Sequence, residues 1–334
     1  EVVPKADEAY VHFMEDKIVE AGVTAFEQVE DAMVGLSHAD STGVGTNRRD
    51  PNGPADHQVP VLLAVSKKSN EPIACMLVCS MHPTVLHEDS PLVSADFPGM
   101  ARKYLHENVF GKALPVLHHT GPAGNQSPRH VTNANTFEEA ERIGGILGKA
   151  VQKALAEIPF LDEVELGSLV TMVDLPRRDF PPVHTADENR RKAKQKLERL
   201  RGENAPKQEV RTAEVDWFGA EETYTLASAQ ESGKLEKYYQ SCLPAEIQLM
   251  RVGPWNFVGW QGEIFVDYAL QVKSNYANTY IISIANGELQ GYIVTEEAVE
   301  EGGYEASNSL FSHRSGQIFV EETKKLVKEA QEMV

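Results

Sequence analysis

The chain has 334 residues, 41% of them hydrophobic and 25% charged, with a formal net charge of -18. That apolar content over that length supports a large buried core and excludes a mainly disordered chain. The acidic balance excludes non-specific nucleic-acid binding, because phosphates are repelled, and keeps the chain off anionic membrane surfaces unless a local patch intervenes.

Residues 7–34 read as an amphipathic helix, with Tyr10, Phe13, Met14 and Ile18 at helical spacing between charges. Residues 37–56 are rich in Gly, Ser, Asp and Asn, and GTNRRDPNG at their centre is turn chemistry. Residues 61–65 and 73–80 read as strands joined by the hairpin-type connector KKSNEP. The second runs into a long loop, MHPTVLHEDSPLVSADFPG, whose polar residues sit just past a strand end. A helix over 98–108, a short strand over 114–119 and a Gly/Pro-rich loop, TGPAGNQSPRH, follow. Residues 137–157 give the clearest helix, with Ala140, Ile143, Leu147, Ala150 and Ala154 on one face and Glu138, Glu139 and Glu141 near its N-terminus.

A strand over 164–175 leads to a basic helix over 187–201, a polar stretch over 202–209 and a helix over 212–229. Together they form a helical excursion around 185–230. The last third alternates again: strands over 245–252 and 257–260, a helical segment over 263–272, a strand over 279–285 and a terminal helix over 317–333. This alternation predicts an α/β fold, a mixed central sheet flanked by helices in a layered sandwich, as a single domain over 1–334. No stretch reaches transmembrane length. Cys75 and Cys79 share one face of a strand as core residues and Cys242 has no obvious partner, which fits a reducing compartment. The chain begins at Glu1 without a methionine, so the natural protein is expected to start earlier; a cytoplasmic protein and a secreted one stripped of its signal both stay open.

Each candidate functional residue also has a bland reading. His82 directly follows a strand, a position that holds an imidazole rigidly for a metal, yet a lone histidine is more often a hydrogen-bonded surface residue. His118 and His119 call for the same caution. Ser127 lies in GNQSP, a turn able to present a hydroxyl and backbone amides; a plain turn serine is the alternative. Glu263, between a strand and a helix, either binds metal or meets the helix N-terminus. Tyr292 and Tyr304 read as core or rim aromatics, and Arg48 as a solvated arginine or a clamp on a carbonyl. The basic helix around Arg190 covers the surface with its charged face and offers only Ala193, Leu197 and Leu200 inward; a lipid-headgroup role is the lesser reading.

The order of these loops resembles that of the neutral/alkaline (non-lysosomal) ceramidase family. NRR resembles the family's N-R-S/R. HPT followed by SADFPG is similar to H-[GP]-T…S-x-D-x-x-G, and AGNQSP to A-G-[ND]-x-S-P. QGE resembles P-G-E ahead of a helix, and GYIVTEEAVEEGGYEAS resembles G-Y-[IV]-x-T…E…Y-E-[GT]-[AS]. The resemblance runs from about Tyr10 to Phe311.

It implies a zinc site of two histidines, a glutamate and a tyrosine, of which His82, Glu263 and Tyr292 match three. The remaining histidine belongs to an H-x-H-x-G-P motif that this sequence lacks and that is expected just before Glu1. The resemblance also implies that Ser127 lies beside the metal, with Arg48 and Tyr304 holding the scissile carbonyl or its oxyanion. The expected activity is zinc-dependent hydrolysis of a linear amide, a small-molecule or lipid N-acyl amide such as N-acyl sphingosine, by zinc-activated water with an assisting serine. QGE in place of P-G-E, Arg129 after SP, and an end soon after the last motif resemble a short bacterial branch lacking the C-terminal β-sandwich domain, and put ceramide itself in doubt. A metal-independent serine hydrolase using Ser127 and a non-catalytic binding protein of the same fold are the alternatives.

Overall fold

The structure is a computed structural model describing residues 6–87 and 90–332. Residues 88 and 89 of the HPT loop and residue 333 of the expected last helix lie outside the described residues.

The first half runs α1 (Glu8–Glu27), β1 (Ala32–Asp40), β2 (Thr46–Asn47), β3 (Gln58–Ser66), β4 (Pro72–Cys79), α2 (Asp96–Leu105), β5 (Val116–Thr120), β6 (Gln126–Ser127), α3 (Phe137–Leu155) and β7 (Phe160–Leu161). Asp7 caps α1, its Oδ1 accepting from the amides of Ala9 and Tyr10. The helix expected to reach residue 34 ends at Glu27, and residues 32–40, divided between helix and turn in the sequence reading, form a strand. β1 pairs along its whole length with β3, and this long-range ladder overrides the weak local signal. The apolar positions of α1 are not covered: Tyr10, Phe13, Met14 and Ile18 are all exposed.

β1, β3, β4, β5 and β7 form one mixed sheet in the order β5-β4-β3-β1-β7, with β4 and β5 parallel. Strand alternation sorts its side chains. Val59, Val61, Leu63, Cys75, Leu77 and Cys79 face an outer core against α2 and α3, while Leu36 and Val78 face the other way. The predicted stripe of α3 is where it should be, with Ala140, Ile143, Leu147 and Ala154 buried. Cys75 and Cys79 are free core residues, and burial pushes both thiols up to about 12.

The second half runs β8 (Leu166–Val173), α4 (Val183–Gly202), α5 (Lys207–Glu231), α6 (Lys234–Cys242), β9 (Ala245–Val252), β10 (Trp255–Trp260), β11 (Glu263–Ile264), α7 (Val266–Lys273), β12 (Thr279–Ile282), β13 (Tyr292–Ile293), α8 (Glu296–Glu301), α9 (Tyr304–Ser307) and α10 (Arg314–Glu332). A second mixed sheet, β12-β10-β9-β8, has β10 and β12 parallel. Its outer face buries Ile247, Leu249, Val258 and Trp260 against α7 and α10, and the Trp260 indole donates to Thr323 Oγ1 at 2.9 Å. Its inner face places Trp255, Phe257 and Tyr280 against Leu36 and Val78 of the first sheet.

The layered α/β sandwich is therefore as expected, built on two large sheets with a helical layer outside each, while β2 with β6 and β11 with β13 form two separate two-stranded ladders. The helical excursion is also present as α4 and α5, and Leu197 is the buried member of its inward stripe. α5 packs on α9, where Thr223 Oγ1 donates to the Ser307 carbonyl at 3.2 Å.

Candidate active site

Each sheet contains one parallel pair joined through a helix, β4-α2-β5 and β10-α7-β12, and the candidate residues hang from the carboxyl ends of these strands. Such ends are where α/β proteins leave backbone groups and loops free for chemistry. The two ends are tied together, the Ser283 amide after β12 donating to the Thr120 carbonyl at the end of β5 at 2.9 Å.

His82 follows β4. Its backbone amide donates to the Gln126 carbonyl at 3.2 Å, and its Nδ1 lies 2.6 Å from the Ala123 carbonyl and 3.1 Å from that of Gln126. Only a protonated Nδ1 satisfies these acceptors, so in the neutral ring the lone pair is on Nε2. That atom points at Glu263, 2.6 Å from Oε2. At this distance a hydrogen-bond proton joins the two atoms, since both bound to one tetrahedral zinc would stand about 3.3 Å apart.

Glu263 was expected to open a helix. It lies instead in β11, and α7 starts at Val266. β11 pairs in parallel with β13, Glu263 directly opposite Tyr292, so the two side chains leave the same face. Both residues follow a glycine in the left-handed region, Gly262 at φ 85° and Gly291 at φ 79°. A Cβ on Gly291 would meet the Asn308 carbonyl oxygen at 1.7 Å, so the glycine of GYIVT is required by space as well as conformation. Burial pushes the Tyr292 phenol above its ordinary value, with Arg48 pulling the other way. The Tyr292 ring meets that of Tyr304 edge-on at 5.8 Å, and burial raises the Tyr304 phenol too. Both hydroxyls therefore carry their protons at neutral pH.

Arg48, just after β2, is held on three sides. Its Nε lies 2.8 Å from Glu305 Oε1, its Nη2 donates to the Gly124 carbonyl at 2.7 Å, and its guanidinium carbon sits 5.3 Å from the centre of the Tyr292 ring. Burial opposes its charge, but Glu305, Tyr292 and Glu263 outweigh that and hold the group charged. Arg49 Nη1 binds the other oxygen of the same carboxylate at 2.9 Å.

Ser127 is buried in β6, opposite Thr46 of β2. Its hydroxyl accepts from the Arg129 amide at 3.2 Å, and among the described residues no histidine, carboxylate or lysine is hydrogen-bonded to it. The AGNQSP loop is clamped through its first half. The Gly124 amide donates to the Ile264 carbonyl at 3.0 Å, and the Asn125 carbonyl accepts from the Arg48 amide at 2.8 Å. Asn125 Oδ1 accepts from the Val266 amide at 3.0 Å, capping α7, while its Nδ2 donates to Asp267 at 2.9 Å.

The structure thus brings His82, Glu263, Tyr292, Tyr304 and Arg48 into one contiguous cluster, with Ser127 on the loop that grips His82. His118 stays apart: its ring lies edge-on to Phe97, 6.1 Å between centres, in the outer core. Asn125, Arg49 and Glu305 were quoted inside motifs without a role, yet they fix the loop and the arginines. Their signal was a polar residue inside a short strand-linking motif, a pattern that gives no partner. Among the described residues, no three His, Cys, Asp or Glu side chains converge. The donors able to hold a metal are the imidazole of His82 and the carboxylate of Glu263, with the phenol of Tyr292 in register beside them.

Two solved ceramidases have a similar fold. The neutral ceramidase from Pseudomonas aeruginosa matches with a TM-score of 0.63 and 19% identity, over 91% of this chain and 54% of that one. A ceramidase complexed with C2 matches with a TM-score of 0.56 and 15% identity, over 87% and 53%. The chain spans about half the length of these relatives. No protein-family model and no curated protein matches the sequence. At these identities the likeness shows a ceramidase-like fold and does not establish membership of the family.

Proposed function

We propose that the chain is a ceramidase-like hydrolase of linear amide bonds that holds zinc with His82, Glu263 and Tyr292. The observation that carries this reading is the His82 Nε2 lone pair directed at Glu263 Oε2 over 2.6 Å, with Nδ1 already committed to carbonyls. The two side chains are hydrogen-bonded to each other here and need only a small separation to admit zinc, for which imidazole with carboxylate is a common donor set. Likeness in fold to ceramidases supports an N-acyl amide, small or lipid, as substrate. Zinc in such a site supplies Lewis-acid polarisation of a carbonyl and a water that loses its proton near neutral pH.

The remaining groups suit amide cleavage. Arg48 and the protonated Tyr304 hydroxyl are donors for the oxyanion that develops on the carbonyl oxygen, and their attachment to Glu305 and to Tyr292 limits reorganisation during reaction. Ser127, with its lone pair already engaged by the Arg129 amide, retains its own proton to donate to substrate. Without a bonded base it is an assisting group rather than a covalent nucleophile. No helix among the described residues is long and apolar enough to cross a membrane.

The test is elemental analysis of the protein with hydrolysis of an N-acyl amide panel that includes ceramide. About one zinc per chain is expected, lost in Glu263→Gln and His82→Asn, with kcat/KM falling about 10³-fold in each. No zinc uptake on addition of the metal overturns the zinc reading. Activity that survives chelation and disappears in Ser127→Ala moves the assignment to a serine hydrolase.

A further inference from the structure

The AGNQSP loop that grips His82 does not stop at Ser127. Its continuation, Arg129 and His130, forms one wall of a cavity of about 980 Å³, whose other walls are the excursion helices α4 and α5. This is the size of site that takes a small organic ligand. His130 also ties the cavity to the active-site cluster, its Nε2 donating to the Arg48 carbonyl at 3.2 Å.

The lining is opposite in sign to the molecule. A chain of net charge -18 surrounds this one cavity with Arg129, Lys196, Arg199 and Arg211 and with the histidines His87 and His130. Among the described lining residues, Glu209 is the one carboxylate and Leu200 the apolar side chain. Lys196, Arg199 and Arg211 are each partnered from outside the lining, by Asp216 and Glu203, both at 3.3 Å, and by Glu214 at 2.7 Å. Such exposed pairs are weak and leave the cations available to a ligand. Arg129 has no ion-pair partner among the described residues. It is exposed, and its side chain reaches the cavity from the residue whose amide binds Ser127.

We infer that this cavity binds an anionic group of the substrate, a carboxylate or phosphate on the amine-side half of an N-acyl amide. The inference rests on the hydrolase reading for the identity of the rest of the molecule, and on the cavity alone for the anion. Arg129 and Lys196 are its specificity-determining residues. Both are long and exposed, and they line the cavity from different elements. A neutral amine half gains nothing from these cations, so the site discriminates by attraction of the anion.

The experiment compares three probes of matched acyl length by calorimetry: N-octanoyl glycine, N-octanoyl ethanolamine phosphate and neutral N-octanoyl ethanolamine. Binding is measured on Glu263→Gln protein, so that hydrolysis does not intervene, and cleavage on the wild type. The expected result is affinity for both anionic probes about tenfold above the neutral one at low salt, a difference of about 1.4 kcal/mol. That preference should collapse in the Arg129→Ala/Lys196→Ala double variant, and in the undisturbed protein at about 1 M salt, where the screening length is about 3 Å. A preference for phosphate over carboxylate, or the reverse, identifies the source of the anion. Equal affinities, no binding of any probe, or a preference that survives both the double variant and high salt overturns the inference. Anion-selective binding with no cleavage of any N-acyl amide fails the hydrolase reading and leaves the anion site standing. Cleavage without selectivity does the opposite.

Discussion

Arg48 and Arg49 depend on one carboxylate. Glu305 is buried and gives one oxygen to each, at 2.8 and 2.9 Å. Glu305→Gln keeps its shape and removes the charge, leaving two half-buried guanidiniums with carbonyls and, for Arg49, the exposed Glu301. Breaking a buried ion pair from one side typically costs about 3–5 kcal/mol, so the variant is predicted to lose at least about 3 kcal/mol in urea unfolding at pH 7. Stability within 1 kcal/mol of wild type, on the order of an exposed pair, would show that the cluster is solvated.

His118 is a second residue whose burial has a measurable consequence. Both ring nitrogens are shut off from solvent without a hydrogen-bond partner among the described residues, and burial, with a smaller effect of His119, pushes the ring down to about 4. The folded protein therefore refuses a proton that the unfolded chain accepts near 6.5. Between those values the unfolded state binds more protons, so stability is complete above about pH 6.5 and falls as pH drops towards 4. The full shift corresponds to at most about 3 kcal/mol. His118→Leu, which also removes two unsatisfied polar atoms, should flatten this part of the stability–pH curve; an unchanged acid slope would assign the loss to other groups.

At the scale of elements, the site depends on two-residue strands held by glycines. Gly291→Ala places a methyl 1.7 Å from the Asn308 oxygen at a φ of 79°, and both faults displace β13 and Tyr292 with it. A loss of about 3 kcal/mol or more, with greatly weakened zinc binding, is the predicted outcome.

These strands also mark where the sequence stops being legible. β3, β4, β9 and β10 show as runs of β-branched and apolar residues, and α3 shows through its periodicity and acidic first turn. β2, β6, β11 and β13 have no period to read, because two residues carry none. β1 was obscured by the helix before it and by the Gly, Ser, His and Asp within it; only its ladder with β3 makes it a strand. Glu263, Tyr292 and Ser127 were therefore recognisable as motif members, but the pairings that orient them were not. α1 gives the converse case. Its amphipathicity was readable, but no residue of it is buried. Deleting residues 6–27 is predicted to move Tm by less than about 2 °C, since local truncation matters through the contacts and hydrogen bonds it removes. A larger drop would mean that α1 is covered in solution.

At the scale of the whole molecule, the site is suspended between two sheets. His82 and the AGNQSP loop follow strands of the first, Glu263 and Tyr292 lie in the β11-β13 ladder whose strands follow β10 and β12 of the second, and the sheets are held in register by a small shared core of Leu36, Val78, Trp255, Phe257 and Tyr280. The His38 ring adds a 2.7 Å bond from the first sheet to the Tyr280 hydroxyl. A core of this kind sets a distance as well as a stability. Phe257→Ala and Leu147→Ala remove buried side chains at costs of about 3–5 and 2–5 kcal/mol, but Leu147 lies in the outer core between α3 and the first sheet. If the sheets position the two halves of the site, the variants should differ in function where they agree in stability. At a temperature where both are folded, Phe257→Ala is predicted to lose at least about tenfold in kcat/KM and in zinc affinity, since small misplacements of reacting groups are costly. Leu147→Ala should keep both within about twofold, because its cavity opens in the outer core, on the face of the first sheet turned away from the second. Equal losses in the two variants would mean that the site is held by its loops alone, through the hydrogen bonds of Gly124, Asn125 and Ser283, and not by the packing of one sheet on the other.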